Sequence, residues 1–100
     1  MIRGTTPTHI FTLPFDASVV QSMRVIYSQD GTPVITKTLE NCTIEAEAVS
    51  VKLSQEDTLA FDYTKLVEIQ IRVLTPAGDA LASDIICVSV ARCLENEVLV

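Results

Sequence analysis

The sequence predicts an all-β protein, an immunoglobulin-like antiparallel β-sandwich of about seven strands, and three observations carry that expectation. Apolar and polar residues alternate with the period of two that a half-buried strand imposes. Turn-forming groups such as Asp30-Gly31 and Thr75-Pro76-Ala77-Gly78-Asp79 separate the alternating segments. No long segment with helical period interrupts them, and short strands at regular spacing suit two packed sheets. A small five-stranded barrel of the OB type is the alternative architecture.

Thr8 to Phe15 is the first expected strand, with Phe11, Leu13 and Phe15 on one face. Met23 to Gln29 alternates next. Asp30-Gly31 then supplies the positive backbone angles of a tight turn, and Thr32 to Leu39 returns antiparallel. Asn41 to Glu45 and Ala48 to Leu53 form a second hairpin around Ala46 and Glu47, although Ala-Glu is weak turn chemistry. In its second arm Val49, Val51 and Leu53 point inward. Ser54-Gln55-Glu56-Asp57 starts a single helical turn, because the Ser54 hydroxyl can accept from an amide near Asp57.

Leu66 to Leu74 is the clearest half-buried strand, with Val67, Ile69, Ile71 and Val73 opposite Glu68, Gln70 and Arg72. The last strand, Ala80 to Ala91, has Ile86, Val88 and Val90 on one side and Ile85 and Cys87 on the other. Both faces are partly apolar, so it is expected to be central or covered. The expected inward set is Phe11, Leu13, Val25, Val49, Val51, Leu53, Val67, Ile69, Ile71, Val73, Ile86, Val88 and Val90.

One hundred residues, 48% hydrophobic and 20% charged, suit one packed domain over residues 1–100. Seven Lys plus Arg against thirteen Asp plus Glu give a net charge of -6, and the bases are scattered. Nucleic acid is therefore not an expected partner. The opening Met1-Ile2-Arg3-Gly4-Thr5-Thr6-Pro7 carries no signal-like apolar stretch, and Ile85-Ile86-Cys87-Val88 is far too short to span a bilayer. A membrane partner is not expected either. Cys42, Cys87 and Cys93 cannot all pair and match no zinc spacing, so a reducing compartment and free thiols are expected. Asn41-Cys42-Thr43 fits a glycosylation acceptor but reads as strand.

No residue pattern points to catalysis, a cofactor or a metal. His9 is the sole histidine and lies in a strand, without a nucleophile motif beside it. The carboxylate pairs Glu45 with Glu47 and Glu56 with Asp57 fall at turns, where acids are solvated or capping. Gln29-Asp30-Gly31 has one carboxylate where a calcium loop needs several. Gly4, Gly31 and Gly78 are isolated and precede no long helix, so no phosphate loop exists. Tyr27 and Tyr63 make a thin carbohydrate platform without tryptophan, and a small-molecule ligand is not expected. Cys93-Leu94-Glu95-Asn96-Glu97-Val98-Leu99-Val100 ends in apolar residues with no strand left to join. Residues 94–100 are a candidate docking tail, with Leu94, Val98 and Leu99 as interface residues and Ile85 and Cys87 extending the contact.

Three segments carry a resemblance: Val51-Lys-Leu-Ser-Gln-Glu-Asp-Thr58, Val67-Glu-Ile-Gln-Ile-Arg-Val-Leu74 and Ala82-Ser-Asp-Ile-Ile-Cys-Val-Ser-Val90. With the opening Arg3-Gly-Thr-Thr-Pro-Thr-His-Ile-Phe11 and Leu13-Pro-Phe15, the chain resembles small prophage proteins of Gram-positive gut bacteria. More loosely, its second half is similar to the immunoglobulin-like amino-terminal domain of phage baseplate upper proteins. The resemblance implies a non-enzymatic virion structural or assembly protein, tail- or baseplate-associated, made in the bacterial cytoplasm and carried in the virion. Its partners would be other virion proteins or further copies of itself. The alternatives are a capsid-associated part and a small carbohydrate or cell-surface binding module. The resemblance brings no catalytic or ligand residue with it, and the long receptor-binding region that follows in baseplate proteins has no counterpart in these residues.

Overall fold

The computed structural model describes all 100 residues. In chain order the elements are β1 (Thr8–Thr12), β2 (Ser22–Gln29), β3 (Thr32–Thr38), β4 (Cys42–Glu45), β5 (Ala48–Lys52), the short helix α1 (Gln55–Leu59), β6 (Val67–Leu74), β7 (Ala80–Ala82) and β8 (Ile86–Val88). A three-stranded sheet runs β1-β5-β4. A five-stranded sheet runs β3-β2-β6, with β7 and β8 both pairing with the far side of β6. All these pairings are antiparallel. The sheets are open and face each other across one apolar core, so the molecule is a sandwich and not a closed barrel.

Local chemistry explains most boundaries. Asp30 and Gly31 both take positive φ, 51° and 74°, which closes the β2–β3 hairpin with a two-residue turn. The β4–β5 hairpin turns on Ala46 at φ 52°, a costly angle for a residue with a Cβ. Tertiary contacts hold it there: Ala17 N–H donates to Ala46 O and Leu13 N–H to Glu47 O, both at 2.8 Å. At α1 the Ser54 hydroxyl accepts from Asp57 N–H at 3.1 Å. Asp57 Oδ2 in turn accepts from Ser54 N–H at 2.9 Å, a reciprocal capping box.

The core holds Val25 and Tyr27 from β2, Val49 and Val51 from β5, and Val67, Ile69, Ile71 and Val73 from β6. Leu13, Leu53 and Val90 of the expected inward set are also buried. Met23, Ala17, Val20 and Phe61 join them without having been in the expected inward set. Two buried polar side chains tie loops down. Gln29 donates to Asp62 O at 2.8 Å and Lys65 O at 3.2 Å while accepting from Asp62 N–H at 2.9 Å. The Thr58 hydroxyl donates to Thr5 O at 2.8 Å, fastening α1 to the amino-terminal segment.

The structure corrects several expectations. β1 ends at Thr12, because Leu13 turns to pair with Glu47 and Asp16 caps a 3₁₀ turn over Ala17–Val19. Phe11 is therefore half-buried at a sheet edge. Asn41 belongs to a 3₁₀ turn, where its side chain accepts from Thr38 N–H at 3.1 Å, and the strand begins at Cys42.

The largest correction concerns the last strand, which is broken and peripheral where a single strand, central or covered, was expected. β7 pairs with Arg72–Leu74 and β8 with Val67–Ile69, with a one-residue slip between the two registers. Ser83 accommodates the slip: its N–H donates to Ile71 O at 2.9 Å, and its hydroxyl accepts from Ile71 N–H at 3.1 Å. Such an extra residue is a bulge, and bulges concentrate at sheet edges. There are accordingly eight strands, not seven. Ile86 pairs with inward-facing Ile69 yet is 50% exposed, and Val88 is half-buried, since β7 and β8 form the sheet's outer ribbon.

Candidate interaction surface

The edge formed by β7 and β8 is chemically unlike the other edges of the sandwich. β3 carries Pro33 and Lys37, β4 is four residues long with Glu45 at its end, and β1 lies between Pro7 and Pro14. Prolines, charges and shortness are the usual means of blocking edge-to-edge pairing. From Ala80 to Ala91 the only charged residue is Asp84, and proline is absent. This edge is guarded by its bulge, by Asp84 and by the shortness of its two three-residue strands, while its remaining side chains are uncharged.

Its side chains are apolar as well. Leu81 pairs with inward-facing Val73 and Ile86 with Ile69, so both point toward the interior, yet they are 45% and 50% exposed. The reason is width: three strands face a sheet four ribbons wide, and the outermost ribbon reaches past the cover. Ile85, in the break between the strands, is 56% exposed. Cys87 pairs with Glu68, shares its outward direction and is an exposed free thiol.

The sequence placed Ile85, Cys87, Leu94, Val98 and Leu99 in one contact, and the structure distributes them over two regions. Beyond β8, Ala91 N–H donates to Met1 O at 2.8 Å and Arg3 N–H to Ala91 O at 3.1 Å, so the chain runs alongside its own amino terminus. Arg3 donates to Asn96 Oδ1 at 2.9 Å. The Gln55 side chain then brackets Leu99, accepting from its N–H at 2.8 Å and donating to its carbonyl at 3.2 Å. Val98 is half-buried in a groove beside Leu53 and Gln55. The tail is thus seated on α1 of its own domain, whereas Ile85 and Cys87 lie on the edge ribbon. Leu94, at 94% exposure, and Leu99 remain open to solvent.

The titratable residues meet elsewhere, between the sheets. His9 on β1, Val51 on β5 and Cys42 on β4 form one row across the three-stranded sheet. Tyr27 reaches across from β2, its hydroxyl 2.8 Å from His9 Nδ1 and its ring 6.1 Å from that of Phe61. Burial pushes the Tyr27 phenol upward, helped by Cys42 and Asp57, so it stays protonated. Burial, and then the amino-terminal ammonium, push His9 below its ordinary 6.5, which favours neutral imidazole. The phenol therefore donates and Nδ1 accepts. At Cys42 burial raises the thiol pKa and Lys37 opposes it. Burial would raise Asp57, but its 2.8 Å ion pair with Lys37 and its bonds to Ser54 hold the carboxyl below the usual range. Tyr27 is buried in the core, so it offers no sugar platform, and half-exposed Tyr63 lies outside the groove that holds Val98.

No family model and no curated protein matches the sequence. Among solved structures, the chain is similar to the immunoglobulin-like domain of mouse leukocyte-associated immunoglobulin-like receptor 1, crystallised as a strand-swapped dimer. The TM-score is 0.56 at 11% identity, covering 91% of this chain and 84% of that one. The fold is immunoglobulin-like. At that identity the likeness carries architecture alone. Cys42, Cys87 and Cys93 are all free thiols, so no disulfide joins the two sheets. Tyr27, between His9 and Phe61, is the aromatic centre of this immunoglobulin-like core.

Proposed function

We propose that this protein is a non-enzymatic assembly module that joins copies of itself, or other proteins, through the β7–β8 edge. The supporting observation is the proline-free ribbon, with one charged residue, on which inward-directed Leu81 and Ile86 remain half exposed. Antiparallel pairing of two such edges about Cys87 would set Ile86 of one copy opposite Val88 of the other, bringing no like charges together. The mouse receptor domain, itself a strand-swapped dimer, supports reading an immunoglobulin-like edge as a place where copies meet. His9 is engaged with a phenol and not with a carboxylate, which favours the non-enzymatic reading over a general base. The finer reading, a phage tail or baseplate part residing in the virion, is supported by the strand patterns of residues 51–58, 67–74 and 82–90.

Light scattering of the purified protein and of Ile86→Lys tests the edge. An oligomer that falls to folded monomer in the variant is the expected result, and a wild type that stays monomeric at high concentration overturns self-association through this edge. Oxidation should also cross-link wild type through Cys87 and leave Cys87→Ser uncross-linked. Mass spectrometry of purified particles tests the finer reading. Peptides of this chain should accompany tail proteins, and particles without them would remove the virion role.

A further inference from the structure

We propose that Arg24 and Arg72 form a paired anion receptor on the outer face of the five-stranded sheet, which seats the carboxylates of an acidic peptide segment from a partner protein. The two arginines are register partners, directly opposite each other on β2 and β6. Their neighbours Met23, Val25, Ile71 and Val73 are buried, so alternation turns both guanidinium groups outward. Directly opposed like charges destabilise a sheet.

No ion pair or side-chain hydrogen bond within the molecule engages this pair. The two salt bridges of the chain are Lys37 with Asp57 and Lys65 with Asp30, and neither arginine side chain makes a hydrogen bond. With thirteen acidic residues available, none is placed across from them. A guanidinium accepts a carboxylate in bidentate fashion, and two adjacent forks present a site for which a partner's carboxylates are complementary.

A groove of about 680 Å³ lies over the pair. Ser22 and Thr38 contribute hydroxyls to its lining, Leu39 and Leu74 contribute apolar surface, and Glu40 is its single carboxylate. The groove is therefore locally positive in a chain whose net charge is -6. Acid-receiving forks interleaved with leucine side chains suit an extended segment that alternates acidic and apolar residues, more than a free small anion. The groove meets β7 only at Ala80 and includes no residue of β8, and the inference does not rest on self-association.

Fluorescence polarisation with a labelled peptide alternating glutamate and leucine provides the test, at low salt and on the intact chain. Wild type should bind saturably, and the glutamine analogue of the peptide should bind about tenfold or more weakly. Arg24→Gln and Arg72→Gln should each lose about tenfold, and Arg24→Lys should recover only part, since it restores charge without the fork. Arg92→Gln, removing an exposed arginine elsewhere, and Ile86→Lys, altering the edge, should bind like wild type. Thermal melting checks that the variants remain folded. The proposal is overturned if wild type does not bind, if the glutamine analogue binds equally, or if Arg92→Gln loses as much. Inorganic phosphate competing as strongly as unlabelled peptide would overturn it too, by reducing the pair to a site for free anions.

Discussion

The hydroxyl of Tyr27 and Nδ1 of His9 lie 2.8 Å apart and join the two sheets through the core. Tyr27→Phe removes this bond while keeping the ring against Phe61. A loss of about 0.5–1.5 kcal/mol in urea unfolding is expected, the usual net worth of one such bond. No measurable loss would mean that the pair contributes nothing to holding the sheets together.

Burial of His9 sets a pH dependence. The His9 pKa lies below 6.5 in the folded protein, so between that value and 6.5 the unfolded chain binds more protons. The contribution is fully present above about pH 6.5 and is lost as pH falls through the folded value. Unfolding free energies measured from pH 7.5 to pH 5 should decline in wild type and decline less in His9→Gln. Asp57 acts in a lower window, below its ordinary 3.8, because its folded pKa is depressed from there.

Two isoleucines expected to share the core should respond differently to truncation. Ile71 is 4% exposed beneath the opposite sheet, and Ile71→Ala should cost about 2–5 kcal/mol through lost burial and a cavity. Ile86, half exposed on the outer ribbon, should cost under about 1.5 kcal/mol in monomeric protein. Equal losses in denaturant titrations would contradict the ribbon's position.

Ala46 supplies a stabilising substitution. Its φ of 52° penalises a Cβ, and Ala46→Gly removes the penalty at some entropic cost. A net gain of about 0.5–1 kcal/mol is expected in thermal unfolding. Destabilisation would show that the Ala46 side chain contributes more than its backbone strain costs.

The carboxyl-terminal tail can be released without shortening the chain. Gln55→Ala removes both bonds to Leu99. Amide exchange at Leu99 should then rise to the rate of an open terminus while the β6 amides remain protected. If Leu99 exchanges equally fast in wild type, the tail is not held by Gln55.

Legibility followed periodicity. β6 was readable because Val67, Ile69, Ile71 and Val73 alternate with Glu68, Gln70 and Arg72, and every inward member is buried. The β2–β3 turn was readable from Asp30-Gly31, and the start of α1 from Ser54 and Asp57, since each is local chemistry. Phe61 was not, because a single aromatic in an irregular segment has no period to announce its direction. Met23 and Tyr27 share the alternation of Val25 and could have been found from it. Of the candidate interface residues, the exposure of Ile85 and Cys87 depends on where the last strand lies in the sheet, and the seating of Val98 and Leu99 depends on Gln55, a residue far away in sequence.

By itself the sequence determined where β2 to β6 run and which side of β6 is apolar, for these follow from a residue and its near neighbours. The tertiary structure alone decided that the last strand is an edge. The pattern of two apolar faces from Ala80 to Ala91 suits a covered central strand and an uncovered sticky edge equally well. Position was decided by the number of strands in the opposite sheet and by the Ser83 bulge, and neither is a property of the segment itself. The same holds for Arg24 and Arg72, which lie far apart in the chain. Only the register of β2 against β6 brings them together.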